Sequence, residues 1–203
     1  MKKNNRLRLV VFTAGLLVVF GCGQVLAQLA QPAETARPAA WAIAVEKEGL
    51  PNLHKVSDAL YRGAQPEDEG YETLEMMGGK ALVNLRSMHS GRSEIKETKI
   101  KYNRIVFNPF HPEDEDLIEF LKIMADPKNH PVFVHCKHGS DRTGMMVVFY
   151  RIVIQGWTKE DAIKEMKEGG FGFHSVWKNL ILFIQNADIE KFKKAAGIES
   201  KTK

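Results

Sequence analysis

Short runs of consecutive apolar residues alternate along this chain with longer stretches in which apolar positions recur every three or four residues. Such runs predict buried strands, and the three-to-four spacing predicts helices with one buried face. "ALYRGAQP" reads as a short strand that ends at a turn, and Pro66 opens the helix "PEDEGYETLEMM" with acids in its first turn. Gly78 and Gly79 stop that helix, and "KALVNLR" follows as a buried strand. "SEIKETKIK" is a polar, helical connection, and "NRIVFNP" a second buried strand. "PEDEDLIEFLKIMAD" places Leu117, Phe120, Leu121 and Met124 on one helical stripe. "HPVFVHC" is a third buried strand, followed by the helix "RTGMMVVFYRIVIQ" and by "TKEDAIKEMKE" with Thr158 as its N-cap. After the glycine-rich "GGFGFH", Ser175 caps a last helix from about Val176 to Ala196. Strands alternating with helices predict a single α/β domain, a mainly parallel central sheet flanked by helices. Ligands of such sheets bind at the carboxyl ends of the strands.

The N-terminus follows a different pattern. Lys2, Lys3, Arg6 and Arg8 precede an apolar or small stretch from Leu9 to Gly23, and Val25 and Ala27 stand at the −3 and −1 positions of a signal-peptidase site. Residues 1–27 therefore read as a signal peptide or N-terminal anchor, and residues 28–40, rich in Pro and Ala, as a linker. Residues 41–197 form the expected domain and 198–203 a tail. This leader implies an exported, periplasmic protein; the alternative is a membrane-anchored one facing the same compartment. Membrane contact is expected only through an uncleaved leader. A lipid attachment at Cys22 in "VFGC" is disfavoured by the bulky Phe20.

The leader changes the meaning of the charge. The formal charge is +4, and the leader's four basic residues account for it, so a chain beginning at Gln28 is formally neutral. The sequence pI of about 9.0 therefore gives no support for a nucleic-acid binder. The remaining composition, 44% hydrophobic and 27% charged residues over 203, is that of an ordinary globular domain. Of two cysteines, only Cys136 lies outside the leader, so the exported chain holds one thiol and no internal disulfide.

That thiol ends the "HPVFVHC" strand and is followed by "KHGSDRTG". A loop entering a helix presents unpaired backbone N–H groups and the positive end of the helix dipole to an anion. Gly139 supplies conformational freedom for such a cradle. Arg142, six residues beyond Cys136, is placed to grip a phosphate with its planar fork. Helix N-termini and nearby cations can lower a cysteine from ~8.5 to ~3.5–7.5, which makes a nucleophilic thiolate. Thr143 is placed to assist the sulfur as a leaving group.

"HCKHGSDRTG" is similar to the His-Cys-x5-Arg-Ser/Thr signature of cysteine-dependent protein tyrosine phosphatases. More narrowly it resembles the small dual-specificity type, whose common upstream patterns "LYRGAQP" and "ALVNLR" also match. The similarity covers about residues 50–190. It implies a phosphocysteine intermediate on Cys136, phosphate binding by Arg142, a cradle of amides from Lys137, His138, Gly139, Ser140, Asp141 and Arg142, support from His135 and Thr143, and no metal or other cofactor. The general acid it requires is sought in "NPFHPEDEDLIEF". Asp114 is the first candidate there, with Asp116 and Glu113 as alternatives, since acids in a helix's first turn also stabilise the dipole without catalysis. Asp141 is expected to be structural. His111 and His138 are placed to line the mouth, and Arg62 and Arg86 either to salt-bridge in the core or to touch substrate.

The implied activity is hydrolysis of phosphotyrosine or dual-specificity phosphoprotein substrates, or of inositol polyphosphates. Lys137 and His138, with Lys96, Lys99, Lys101 and Arg104 upstream, supply positive charge for the latter. The partner is thus a phosphorylated small molecule or phosphoprotein. A catalytically silent phosphate-binding pseudophosphatase is the alternative. Arsenate reduction lacks the further thiols it recruits, and sulfur transfer does not need the Arg142–Thr143 pair.

Overall fold

The computed structural model describes residues 37–198, and the expected leader and most of the expected linker lie outside the described residues. Six strands form one sheet: β1 (Ile43–Ala44), β2 (His54–Lys55), β3 (Leu60–Gly63), β4 (Ala81–Asn84), β5 (Lys101–Arg104) and β6 (Val132–His135). Their order across the sheet is β1-β2-β3-β6-β4-β5. β3, β6, β4 and β5 run parallel, while β1 and β2 add an antiparallel edge that the sequence pattern does not announce. Both edge strands are two residues long, too short to display an alternation.

The register determines where chemistry can sit. Gly63 and Asn84 both stand level with His135, so three neighbouring strands end together one residue before Cys136. Within β6 and β4 the side chains alternate between the two faces. Phe133 and Leu82 join Leu50, Leu53, Tyr71, Leu74, Ile95 and Ile100 on one face. Val132, Val134, Ala81 and Val83 join the larger core on the other. Helices α1 (Asp68–Met76) and α2 (Arg92–Ile95) contribute to the first cluster. Helices α3 (Asp114–Ala125), α4 (Asp141–Phe149), α5 (Lys159–Glu168), α6 (Lys178–Asn186) and α7 (Ile189–Ala196) contribute to the second.

Three expectations are corrected. The strand expected over "NRIVFNP" lies earlier, at Lys101–Arg104. β5 is an edge strand that pairs only with β4, and its last ladder contact is the Ile105 N–H to the Asn84 carbonyl at 3.0 Å. Ile105 and Phe107 are buried and Val106 is half-exposed, so their strand-like alternation arises in unpaired chain. The helix expected from Val176 to Ala196 is two helices broken at Ala187, whose backbone is extended. Asp188 causes the restart: its carboxylate accepts the Lys191 N–H and caps α7. Ser175 is not a cap; Trp177 holds that position for α6. The long helix after the cysteine loop does persist past Phe149, but as a π-helical segment over Tyr150–Ile154.

A buried ion pair holds this second layer to the N-terminal part of the domain. Arg151 donates from Nε and Nη2 to the two carboxylate oxygens of Glu165, at 2.8 and 2.6 Å. Glu165 also accepts the Ala42 N–H at 2.7 Å. Arg37, near the end of the expected linker, donates to the carbonyls of Gly169 and Ala42.

Candidate active site

Cys136 emerges from the central strand of the parallel set and is 3% exposed. The following turn runs directly into α4, and Gly139 takes a φ of +73° within it. A Cβ at Gly139 would lie 2.5–2.7 Å from backbone atoms of Gly63 and Ala64, so the turn is seated on the end of β3 in a way only glycine allows.

Each carbonyl of residues 136–140 is held from outside the turn. The Cys136 carbonyl accepts from His135 Nδ1 at 3.2 Å and the Lys137 carbonyl from the Gln65 N–H at 3.3 Å. The His138 carbonyl accepts from Asn52 Nδ2 at 2.9 Å. The Gly139 and Ser140 carbonyls accept from Arg62 Nη2 at 2.7 and 3.3 Å, and that of Ser140 also from the Gly144 N–H at 2.8 Å. Among the described residues, the backbone N–H groups of residues 137–143 donate to no acceptor of the chain. A peptide whose carbonyl is drawn outward turns its own N–H the other way. The turn therefore presents a set of inward amides at the start of α4, where the helix dipole adds positive potential.

The side chains complete an anion site. Arg142 is half-buried and donates from Nη1 to the Leu85 carbonyl at 3.3 Å, which anchors one edge of its fork. Thr143 is fully buried and, among the described residues, its hydroxyl has no hydrogen-bond partner. That is a costly arrangement unless the hydroxyl has a task in the site, such as donating to sulfur. Burial pushes His135 down to about 3, so its ring is neutral. Since Nδ1 faces a carbonyl, Nδ1 carries the proton, as a brace for the cysteine peptide requires.

Asp141 is tied to His174. Its Oδ1 accepts the His174 N–H at 2.9 Å, and Oδ2 lies 2.9 Å from His174 Nδ1. Ser140 Oγ and Asn52 Nδ2 both donate to the Phe171 carbonyl, at 2.9 and 3.1 Å. Residues 169–174, legible in the sequence only as a glycine-rich break, thus clasp the anion turn from the helix side. Asn52 had no signal in the sequence and Gln65 only its place in "LYRGAQP", since their work depends on contacts 86 and 72 residues away along the chain. His138 is exposed on the turn, with its ring centroid 6.4 Å from that of His174. His111 is exposed in the β5–α3 connection.

The three candidate acids all stand at or just before the first turn of α3, at the carboxyl end of the sheet. Asp114 is held by Lys191 Nζ at 2.5 Å. Asp116 is half-buried, and burial together with the negative charges of Glu113, Glu119 and Glu115 raises its carboxyl to about 6. Glu113 is exposed.

The basic residues divide. Arg104 ends β5 at the carboxyl side, where it donates to the carbonyls of Arg86 and Ser87. Arg86 donates to Gln65 Oε1 at 3.3 Å beside the anion turn. Lys101 begins β5 at the opposite end of the sheet and reaches Asn129. Lys96 pairs with Glu97, and the Lys99 N–H donates to Glu75. Lys101 is therefore at the far end of the sheet from Arg104.

Comparison with known proteins agrees with this geometry. Residues 39–180 match the family described as DSP-PTPase phosphatase fused to NAD+ Kinase. The chain is 34% identical over 169 residues to the dual specificity protein phosphatase TpbA of Pseudomonas aeruginosa strain UCBPP-PA14, across 80% of this chain and 75% of that one. It is 28% identical over 154 residues to inositol diphosphatase DSP5 of Arabidopsis thaliana, across 70% and 72% of the two chains. The crystal structure of P. aeruginosa TpbA superposes with a TM-score of 0.70 at 30% identity, covering 79% of this chain and 99% of that one. A cysteine-to-serine form of TpbA in complex with pTyr gives a TM-score of 0.70 at 29% identity, covering 80% and 99%. This chain belongs to the dual-specificity family of cysteine-dependent protein tyrosine phosphatases, and it is a cysteine-dependent phosphatase.

Proposed function

We propose that the chain hydrolyses phosphomonoesters on proteins, phosphotyrosine among them, through a phosphocysteine formed on Cys136. The observation that carries this reading is the set of outward-held carbonyls of residues 136–140, which leaves the amides of residues 137–141 free for one tetrahedral oxyanion next to the sulfur. The Cys136 thiolate attacks phosphorus in line. A P–S bond forms as the bond to the leaving oxygen breaks, while Arg142 and the amides hold the three equatorial oxygens. The leaving oxygen takes a proton from a carboxylic acid. Water, deprotonated by the same carboxylate, then attacks phosphorus, breaks the P–S bond and releases inorganic phosphate with the thiolate restored. The Thr143 hydroxyl donates to the departing sulfur.

Asp116 fills the acid role in this reading. A donor must hold its proton near neutral pH, and Asp116 is the carboxyl raised to about 6. Asp114 is already engaged by Lys191.

Two observations favour a protein substrate. Met88 and Phe110 are 96% and 79% exposed on the loops that leave β4 and β5 at the site end of the sheet. Such apolar groups suit an aromatic side chain on a polypeptide. The pTyr complex of the TpbA relative points the same way. A second reading, inositol polyphosphate hydrolysis, is favoured by Arg86 and Lys137 beside the turn and by the inositol diphosphatase relative. Side-by-side phosphate release from a phosphotyrosine peptide and from inositol hexakisphosphate distinguishes them. Faster turnover of the peptide is expected, and the reverse order would transfer the assignment to the second reading.

The leader further places this activity in the periplasm in our reading, after cleavage before Gln28. N-terminal sequencing of the periplasmic fraction tests it: a chain starting at Gln28 supports export, and an intact leader in the cytoplasm overturns it.

A further inference from the structure

Arg62 and Arg151 are the largest fully buried side chains among the described residues, Arg62 at 1% exposure. Among the described residues Arg62 forms no ion pair, and its Nε and Nη1 have no hydrogen-bond acceptor. The nearby carboxylate of Glu165 is already shared by both nitrogens of Arg151 that face it. Burial lowers Arg62 only to about 10, so it remains a cation at neutral pH. An unpaired buried cation is expensive, and a fold of this size has apolar alternatives for such a position. The contacts it does make are specific. Nη2 donates to the carbonyls of Gly139 and Ser140, and the guanidinium carbon lies 3.8 Å from the centroid of the Phe171 ring. Phe171 in turn offers its carbonyl to Ser140 and to Asn52, and Asn52 holds the His138 carbonyl.

We propose that Arg62 is a positioning residue for phosphate binding: it braces the Gly139 and Ser140 carbonyls outward from behind the turn, with Phe171 as its seat and Asn52 as a second strut. The inference rests on the phosphate-binding role of the turn proposed above. Arg62 touches no substrate. It keeps two peptides rotated so that their N–H groups face the oxyanion, and its charge adds to the positive potential felt there. The turn would otherwise gain by rotating a carbonyl inward or by folding its amides onto the chain.

The test is titration of the full chain with inorganic phosphate by calorimetry, alongside steady-state turnover and thermal melting. Arg62→Met is expected to weaken phosphate binding about tenfold or more and to lower kcat further than KM rises, with a cooperative melt retained. Arg62→Lys keeps a donor and the charge but loses the planar group that lies over the Phe171 ring, and it is expected to recover part of the lost affinity. Asn52→Ala is expected to weaken binding severalfold at unchanged Arg62. If Arg62→Met does not fold, the Lys and Asn52 variants decide, because the first keeps the buried charge and the second leaves Arg62 in place. Wild-type phosphate affinity in folded Arg62→Met, or in both of the other variants, would overturn the brace while leaving the anion turn intact. A wild-type chain that binds no phosphate would overturn the brace and the proposed function together.

Discussion

Two carboxylates two residues apart in the first turn of one helix sit in different environments. Asp114 and Asp116 read alike in the sequence, as acids opening an amphipathic helix. One is bound by the ammonium of a distant helix, and the other is half-buried among acids. Asp116→Asn is expected to lower kcat by ~10²–10⁴ and to remove the loss of activity that accompanies ionisation of an acid near pH 6. The same variant carries a stability signature. A carboxyl raised from 3.8 to about 6 in the fold contributes stability that is present in acid and is lost as pH rises through that interval. The melting temperature of Asp116→Asn should therefore match wild type near pH 4 and exceed it at pH 7. Asp114→Asn breaks only an exposed pair, costs ~0–1 kcal/mol and leaves the pH–rate profile in place. An unchanged profile in Asp116→Asn with a changed one in Asp114→Asn would reverse the assignment.

The strand–turn–helix unit around Cys136 was legible because its pattern is local: an apolar run, a glycine, then a helical spacing, with the signature residues between them. Its support was not legible. Asn52, the Arg62–Gln65 stretch and Phe171 reach the turn from three separate segments, and no spacing along the chain encodes that meeting. The same limit explains the displaced β5, since strand boundaries depend on where the neighbouring strand stops. Two substitutions test these units. Gly139→Ala drives a Cβ against the Gly63 backbone at 2.5 Å and is expected to lower kcat/KM roughly 100-fold or more by shifting the turn. Near-wild-type kinetics in that variant would mean the seat on β3 is unimportant. Glu165→Ala strips the buried Arg151 of its partner and should cost about 3–5 kcal/mol in urea denaturation. A cost below 1 kcal/mol would show that this pair does not hold α5 to the π-helical segment.

Across the chain as a whole, the layer architecture follows from the alternation of strands and helices, and the parallel order brings every site loop to one end of the sheet. Of the two cysteines, Cys22 lies in the proposed leader, so export with cleavage would leave Cys136 to face oxidants without a second cysteine to form a protective disulfide. Mild peroxide is expected to abolish turnover, with partial recovery on adding a thiol; full activity after peroxide would contradict a reactive thiolate at Cys136.

The most direct test of the account is rapid acid quench of the chain from Gln28 onward during turnover of a phosphotyrosine peptide, followed by peptide mass analysis. The account predicts a phosphoryl group on the peptide carrying Cys136, and neither phosphopeptide nor phosphate release in Cys136→Ser. Turnover that survives Cys136→Ser, or a phosphoryl group trapped on any other residue, would contradict it.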